Sequence, residues 1–165
     1  MKELLYDRNK VIEYAKKWAL SRNPKYYNFD NVGGDCTSFV SQCIFAGAKV
    51  MNYTKDVGWY YINGNNKSPS WSGVDFLYKF LINNKSVGPY GKEAKINEIE
   101  IGDIAQLSFD GDKFEHTLMI VNIENKFTLS KIKIASHTFD SFNKAISEYL
   151  FQKIRFIHIS GVRTY

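Results

Sequence analysis

The chain has 165 residues, 44% hydrophobic and 16% aromatic, enough for one globular domain over 1–165 with a substantial core and too apolar for a disordered chain. Its formal charge of +5 arises from 22 basic and 17 acidic residues spread without a basic run. That pattern describes an ordinary solvated surface; the excess charge would suit an acidic partner or substrate, whether wall polymer, nucleic acid or an acidic carrier protein, and without a basic run no nucleic acid is expected. No apolar run approaches the roughly 18 residues of a membrane span, and the N-terminus lacks the apolar stretch of a signal peptide, so a chain that starts at Met1 is expected in the cytoplasm.

In residues 7–20, Val11, Tyr14, Ala15, Trp18 and Ala19 recur at helical spacing, and Asn23-Pro24 stops the helix. A turn at Gly33-Gly34 leads to Asp35, read as an N-cap. A second helix follows whose buried stripe is Phe39, Val40, Cys43 and Ile44, ending at Gly47. Cys36 lies one turn before Val40 and points inward, whereas Gln42 falls on the side read as exposed. Residues 52–73 are too irregular for a long element and read as an ordered aromatic loop; 74–82 is a short helix. From Glu98 the pattern turns to period two, with strands at 103–109, 116–123, 131–137 and 154–159. Helices first and antiparallel strands afterwards predict an α+β fold.

Cys36 at a helix start is a candidate nucleophile, because the unpaired N–H groups and positive end of the helix dipole stabilise a thiolate and can cradle an oxyanion. Cys36 and Cys43 are about 10 Å apart along one helix, too far for a disulfide, so both are expected as free thiols. A cysteine nucleophile needs a base. His116 opens one predicted strand and His137 closes another; if those strands pair antiparallel, the two histidines become neighbours, a base and its orienter. His158 alternates with Ile154 and Phe156 on a terminal strand and reads as a residue of the core edge or the surface. No Cys-x-x-Cys or His-x3-His spacing is present, so no metal or other cofactor is expected.

The ordered motifs GGDCTSFVSQC, GWYY, SPSW, a Gly-Asp-Ile strand, HTLMIV and SHTFD resemble the bacterial putative amidase domain family, papain-like proteins related to NlpC-type peptidoglycan peptidases. The resemblance runs from the first helix to the last strand. It implies a papain-like fold in which the nucleophile helix packs on the antiparallel sheet, with Cys36 as nucleophile, His116 as base and His137 as orienter. Asp140 is the rival orienter and Asp35 a supporting residue. The Cys36 N–H with a hydroxyl from Tyr26 or Tyr27 is expected to hold the oxyanion, and Trp59, Tyr60, Tyr61 and Trp71 to line a substrate groove. The reaction implied is acyl transfer through a Cys36 thioester from an amide, peptide or acyl-thioester substrate. Water attack makes an amidase or peptidase. Attack by an amine, with a carrier-protein thioester as donor, makes an amide-forming acyltransferase; a non-catalytic binding module is the third reading.

Overall fold

A computed structural model describes residues 1–137 and 139–165; Thr138, within the SHTFD motif, lies outside them. The α+β class holds. One sheet carries seven antiparallel strands: β1 (Lys2–Leu4), β4 (Gly88–Ala94), β5 (Ile104–Ser108), β6 (His116–Ile123), β7 (Ile132–Ser136), β8 (Ser141–Ala145) and β9 (Lys153–Thr164). Their order is β1-β9-β5-β6-β7-β8, with β4 also paired to β9. The four strands expected from period two are all present. The three others, β1, β4 and β8, lie at edges or are partly exposed, so their residues need not alternate and carried no periodic signal.

Helix α1 (Arg8–Trp18) starts where Asp7 accepts a hydrogen bond from Lys10 N–H at 3.1 Å. Helix α2 (Cys36–Ala48) passes through Gly47 instead of stopping there. A Cβ at Gly47 would stand 2.6 Å from both the Asp7 carbonyl oxygen and a Val11 methyl. This glycine therefore serves the close approach of α1 and α2, and Lys49 in the left-handed region terminates the helix. Packed between α1, the sheet and the aromatic segment that follows, α2 is buried almost all round. Gln42 is buried too, correcting the exposed reading: it accepts from the Tyr14 hydroxyl and donates to Ser38 Oγ. One core fills the space between the helices and the sheet, and a second covers the opposite sheet face through Leu107, Leu118, Ile120 and Ile134.

The segment 52–73 folds around a small hairpin, β2 (Tyr61–Asn63) with β3 (Asn66–Lys67), and a one-turn helix α3 (Pro69–Ser72); α4 (Val74–Asn83) follows. Trp59 and Trp71 are fully buried, which removes both from the expected groove. Their rings lie 5.0 Å apart, and Trp59 Nε1 donates to Ser41 Oγ on α2 at 3.1 Å. These rings make the layer that buries the polar side of α2.

Candidate active site

Cys36 reaches its position through a turn that only glycine makes easily. Gly33 and Gly34 have φ of 83° and 96°, and Gly34 N–H returns to the Phe29 carbonyl at 3.0 Å. Asp35 does not cap α2, contrary to the sequence reading. Its carboxylate turns back instead, accepting from Phe29 N–H at 2.9 Å and meeting His137 Nδ1 at 2.6 Å. The first N–H groups of α2 are thus left without an Asp35 cap beside a buried Cys36. Both cysteines are free, and burial pushes the Cys43 thiol well up.

His116 stands at the start of β6. A buried hydrogen bond of 2.9 Å between the Thr37 and Thr117 hydroxyls joins the residue after Cys36 to the residue after His116. That bond pins the first turn of α2 to the first residues of β6. The His116 Nε2 lies 3.1 Å from Ser136 Oγ, and the ring packs between Phe109 (6.1 Å between centroids) and Tyr149 (5.6 Å). Burial, with the Lys144 cation nearby as the lesser cause, pushes His116 down to about 4. At neutral pH it is therefore the uncharged imidazole, the form able to accept a proton.

This depression has a thermodynamic consequence. The unfolded chain takes up a proton near pH 6.5 and the folded one only near 4, so folded-state stability falls as pH drops through that window. The loss attributable to His116 is about 3 kcal/mol at full protonation. Urea unfolding between pH 7 and 4 is expected to show this slope, and His116→Gln to flatten it; an unchanged slope in the variant would place the proton uptake elsewhere.

His137 is brought to a different partner from the one expected. Strands β6 and β7 do pair antiparallel, with Met119 opposite Ala135. Successive strand residues face opposite sides, so Ser136 shares the His116 face while His137, one residue on, turns toward the helices. There it stacks on Phe39 with 3.9 Å between centroids. Its Nε2 donates to the Trp18 carbonyl at 2.6 Å, and its Nδ1 meets the Asp35 carboxylate at the same distance. The ring is thus held between an oxygen at each nitrogen, the Asp35 carboxylate and the Trp18 carbonyl. His137 thus joins α1, α2 and the sheet, and Ser136 is the group within hydrogen-bond distance of His116. Asp140 is likewise held elsewhere, in a two-pronged pair with Arg22 at 2.9 Å per bond.

The remaining expected residues scatter. Tyr26 stacks on Trp71 at 5.8 Å, whereas Tyr27 is exposed with its N–H donated to the Tyr61 hydroxyl at 2.7 Å. Tyr60 is half-buried against Tyr53. His158 binds the buried Asp103 carboxylate at 2.8 Å, which Arg8 also holds at 2.8 Å, consistent with a residue of the core edge. A cavity of about 550 Å³ lies between residues 52–57 and α4, bordered by Asn52, Val57, Phe76 and Phe80, with no wall from α2, β6 or β7. Sequence reasoning missed Ser136, Phe109, Lys144 and Tyr149 around His116. Strand parity could have found the first two, since Phe109 is two residues from Leu107, which pairs with His116. Among the described residues no group of three or more His, Cys, Asp or Glu could hold a metal ion, and no helix is long and apolar enough to cross a membrane.

A relative, "Uncharacterized protein YhbB" of Bacillus subtilis (strain 168), is 33% identical over 119 residues, covering 70% of this chain and 37% of the relative. The chain thus spans well under half the length of that protein. No solved structure matches. The family described as "Putative amidase domain" matches residues 5–160, a span that contains Cys36, His116 and the Gly33-Gly34 turn, and the chain belongs to that family.

Proposed function

We propose that this domain is a cysteine amidase in which Cys36 attacks an amide carbonyl and His116 moves the protons. The observation that carries the reading is the Thr37–Thr117 hydroxyl bond of 2.9 Å, which ties the residue after Cys36 to the residue after His116. Family membership supports amide hydrolysis. The low position of His116 keeps it a proton acceptor at neutral pH, and with Nε2–H donating to Ser136 Oγ, Nδ1 holds the lone pair that serves as base.

The steps then balance. Nδ1 takes the Cys36 thiol proton as sulfur bonds to the carbonyl carbon, and the adduct oxyanion is held by N–H groups of the uncapped helix start. His116 returns the proton to the amine nitrogen as the C–N bond breaks, leaving a thioester. A water, giving its proton to His116, attacks the thioester and frees the acid and the thiol. Ser136, not His137, is the residue that steadies the imidazole in this reading.

The test is intact-mass analysis after exposure to peptide amides, peptidoglycan fragments and acyl thioesters. A Cys36 adduct that decays in water alone is the expected result. An adduct that persists until an amine is supplied would convert the reading to amide-forming acyl transfer, and amide cleavage that survives Cys36→Ala would overturn it.

A further inference from the structure

Tyr149 follows the short 3₁₀ turn Ile146–Glu148, which is fixed by Glu148 accepting from Ala145 N–H at 3.0 Å and by Tyr149 N–H donating to the Ile146 carbonyl at 3.1 Å. Its ring packs on His116, and the Lys144 ammonium sits 4.1 Å from the ring centroid. The Tyr149 hydroxyl is sealed from solvent without a hydrogen-bond partner among the described residues. A buried hydroxyl in that condition opposes folding and is a donor awaiting an acceptor. The hydroxyls of Ser136 and Ser141 lie close enough to draw the phenol down, yet neither makes a hydrogen bond of good geometry with it; Ser136 Oγ stands 3.1 Å from His116 Nε2, and Ser141 donates to the Phe139 carbonyl at 2.6 Å.

We infer that the Tyr149 hydroxyl donates a hydrogen bond to the carbonyl oxygen of a substrate as Cys36 attacks it, acting with the Cys36 backbone N–H as the oxyanion site. The inference rests on the reading of Cys36 as nucleophile. It replaces Tyr26, held in the aromatic stack on Trp71, and Tyr27, exposed on its loop, as the side-chain donor. Burial pushes the phenol up, the Ser136 and Ser141 hydroxyls offset part of that, and negative charge on Cys36 adds a smaller upward push, so Tyr149 keeps its proton through the neutral range and can donate it. Negative charge growing on a Cys36 adduct acts in the same direction.

Two probes separate this role from a structural one. p-Nitrophenyl acetate acetylates a thiol through a tetrahedral oxyanion: the Sγ–C bond forms, the thiol proton passes to His116, and the ester C–O bond breaks to release p-nitrophenolate. Iodoacetamide alkylates the same sulfur by displacement of iodide, with no oxyanion. Tyr149→Phe keeps the ring and is expected to slow acetylation of Cys36 about 10²-fold while alkylation changes less than about twofold, with peptide mapping to assign the site. A parallel fall in both rates, or unchanged acetylation, overturns the role of Tyr149. A chain carrying 3,5-difluorotyrosine at 149, whose phenol is more acidic but alike in shape, should lose acetylation at lower pH than the parent; an unmoved upper limb also overturns it. Failure of the nucleophile reading has a different signature: the parent chain stays unacetylated, or Cys36→Ala is acetylated as fast as the parent.

Discussion

Alanine at position 36 is expected to abolish acyl-enzyme formation, and alanine at position 116 to slow it by about 10²- to 10⁴-fold. The two effects differ in kind. Without the Cys36 sulfur there is no atom to carry the acyl group, so the loss is complete. Without His116 the sulfur remains, on the same uncapped helix start, but the proton must leave to water. Single-turnover acetylation by p-nitrophenyl acetate measures both. Ser136→Ala should reduce the rate less than His116→Ala, because it removes the partner of Nε2 and leaves the base in place. If His116→Ala acetylates at the parental rate, histidine is not the base and the catalytic reading fails.

Removing one member of the Asp35–His137 pair is expected to cost folding stability, toward the lower end of the roughly 3–5 kcal/mol of a broken buried pair, because Arg22 Nε at 3.7 Å still faces the Asp35 carboxylate when His137 is lost. Both side chains are almost wholly excluded from solvent. Their bond joins the residue before Cys36 to the sheet, and the second His137 bond reaches the end of α1. His137→Ala therefore severs three elements at one point. A domain of ordinary stability, about 5–15 kcal/mol, would be left marginal. Urea unfolding measures the loss, and the double variant Asp35→Asn with His137→Gln should lose less than the sum of the single losses, since each single variant already breaks the same bond. Strict additivity would show that the two do not interact. Any fall in acylation by His137 variants should track the fraction unfolded, unlike the falls produced at Cys36 or His116.

Much of this was legible along the chain. The period of Val11, Ala15 and Trp18 marked α1, and the Gly33-Gly34-Asp35-Cys36 run marked the entry to α2 because positive φ is cheap only for glycine. The alternation around His116 and Ile134 marked β6 and β7. What misled was treating two strand ends as equivalent: antiparallel pairing brings the ends together, but parity decides which side chains meet. Ser136 and His137 are neighbours in sequence and lie on opposite faces of the sheet. Gln42 and the tryptophans misled for another reason. A helix covered on every side has no exposed face for a polar residue, so burial of Gln42 is possible only because Tyr14 and Ser38 complete its hydrogen bonds.

Local sequence alone determined the helix-entry cysteine, the free state of both thiols and the strand that begins with His116, since each depends on backbone preference or spacing within a few residues. Tertiary structure alone decided the partners: Ser136 beside His116, the Asp35 carboxylate on His137 instead of the helix cap, Asp140 on Arg22, and Tyr149 against the imidazole. Asp35 and His137 are 102 positions apart and Arg22 and Asp140 are 118 apart. At such separations a polar side chain is assigned its partner by strand register and by the need to satisfy every buried donor and acceptor, and those are properties of the assembled sheet and helices.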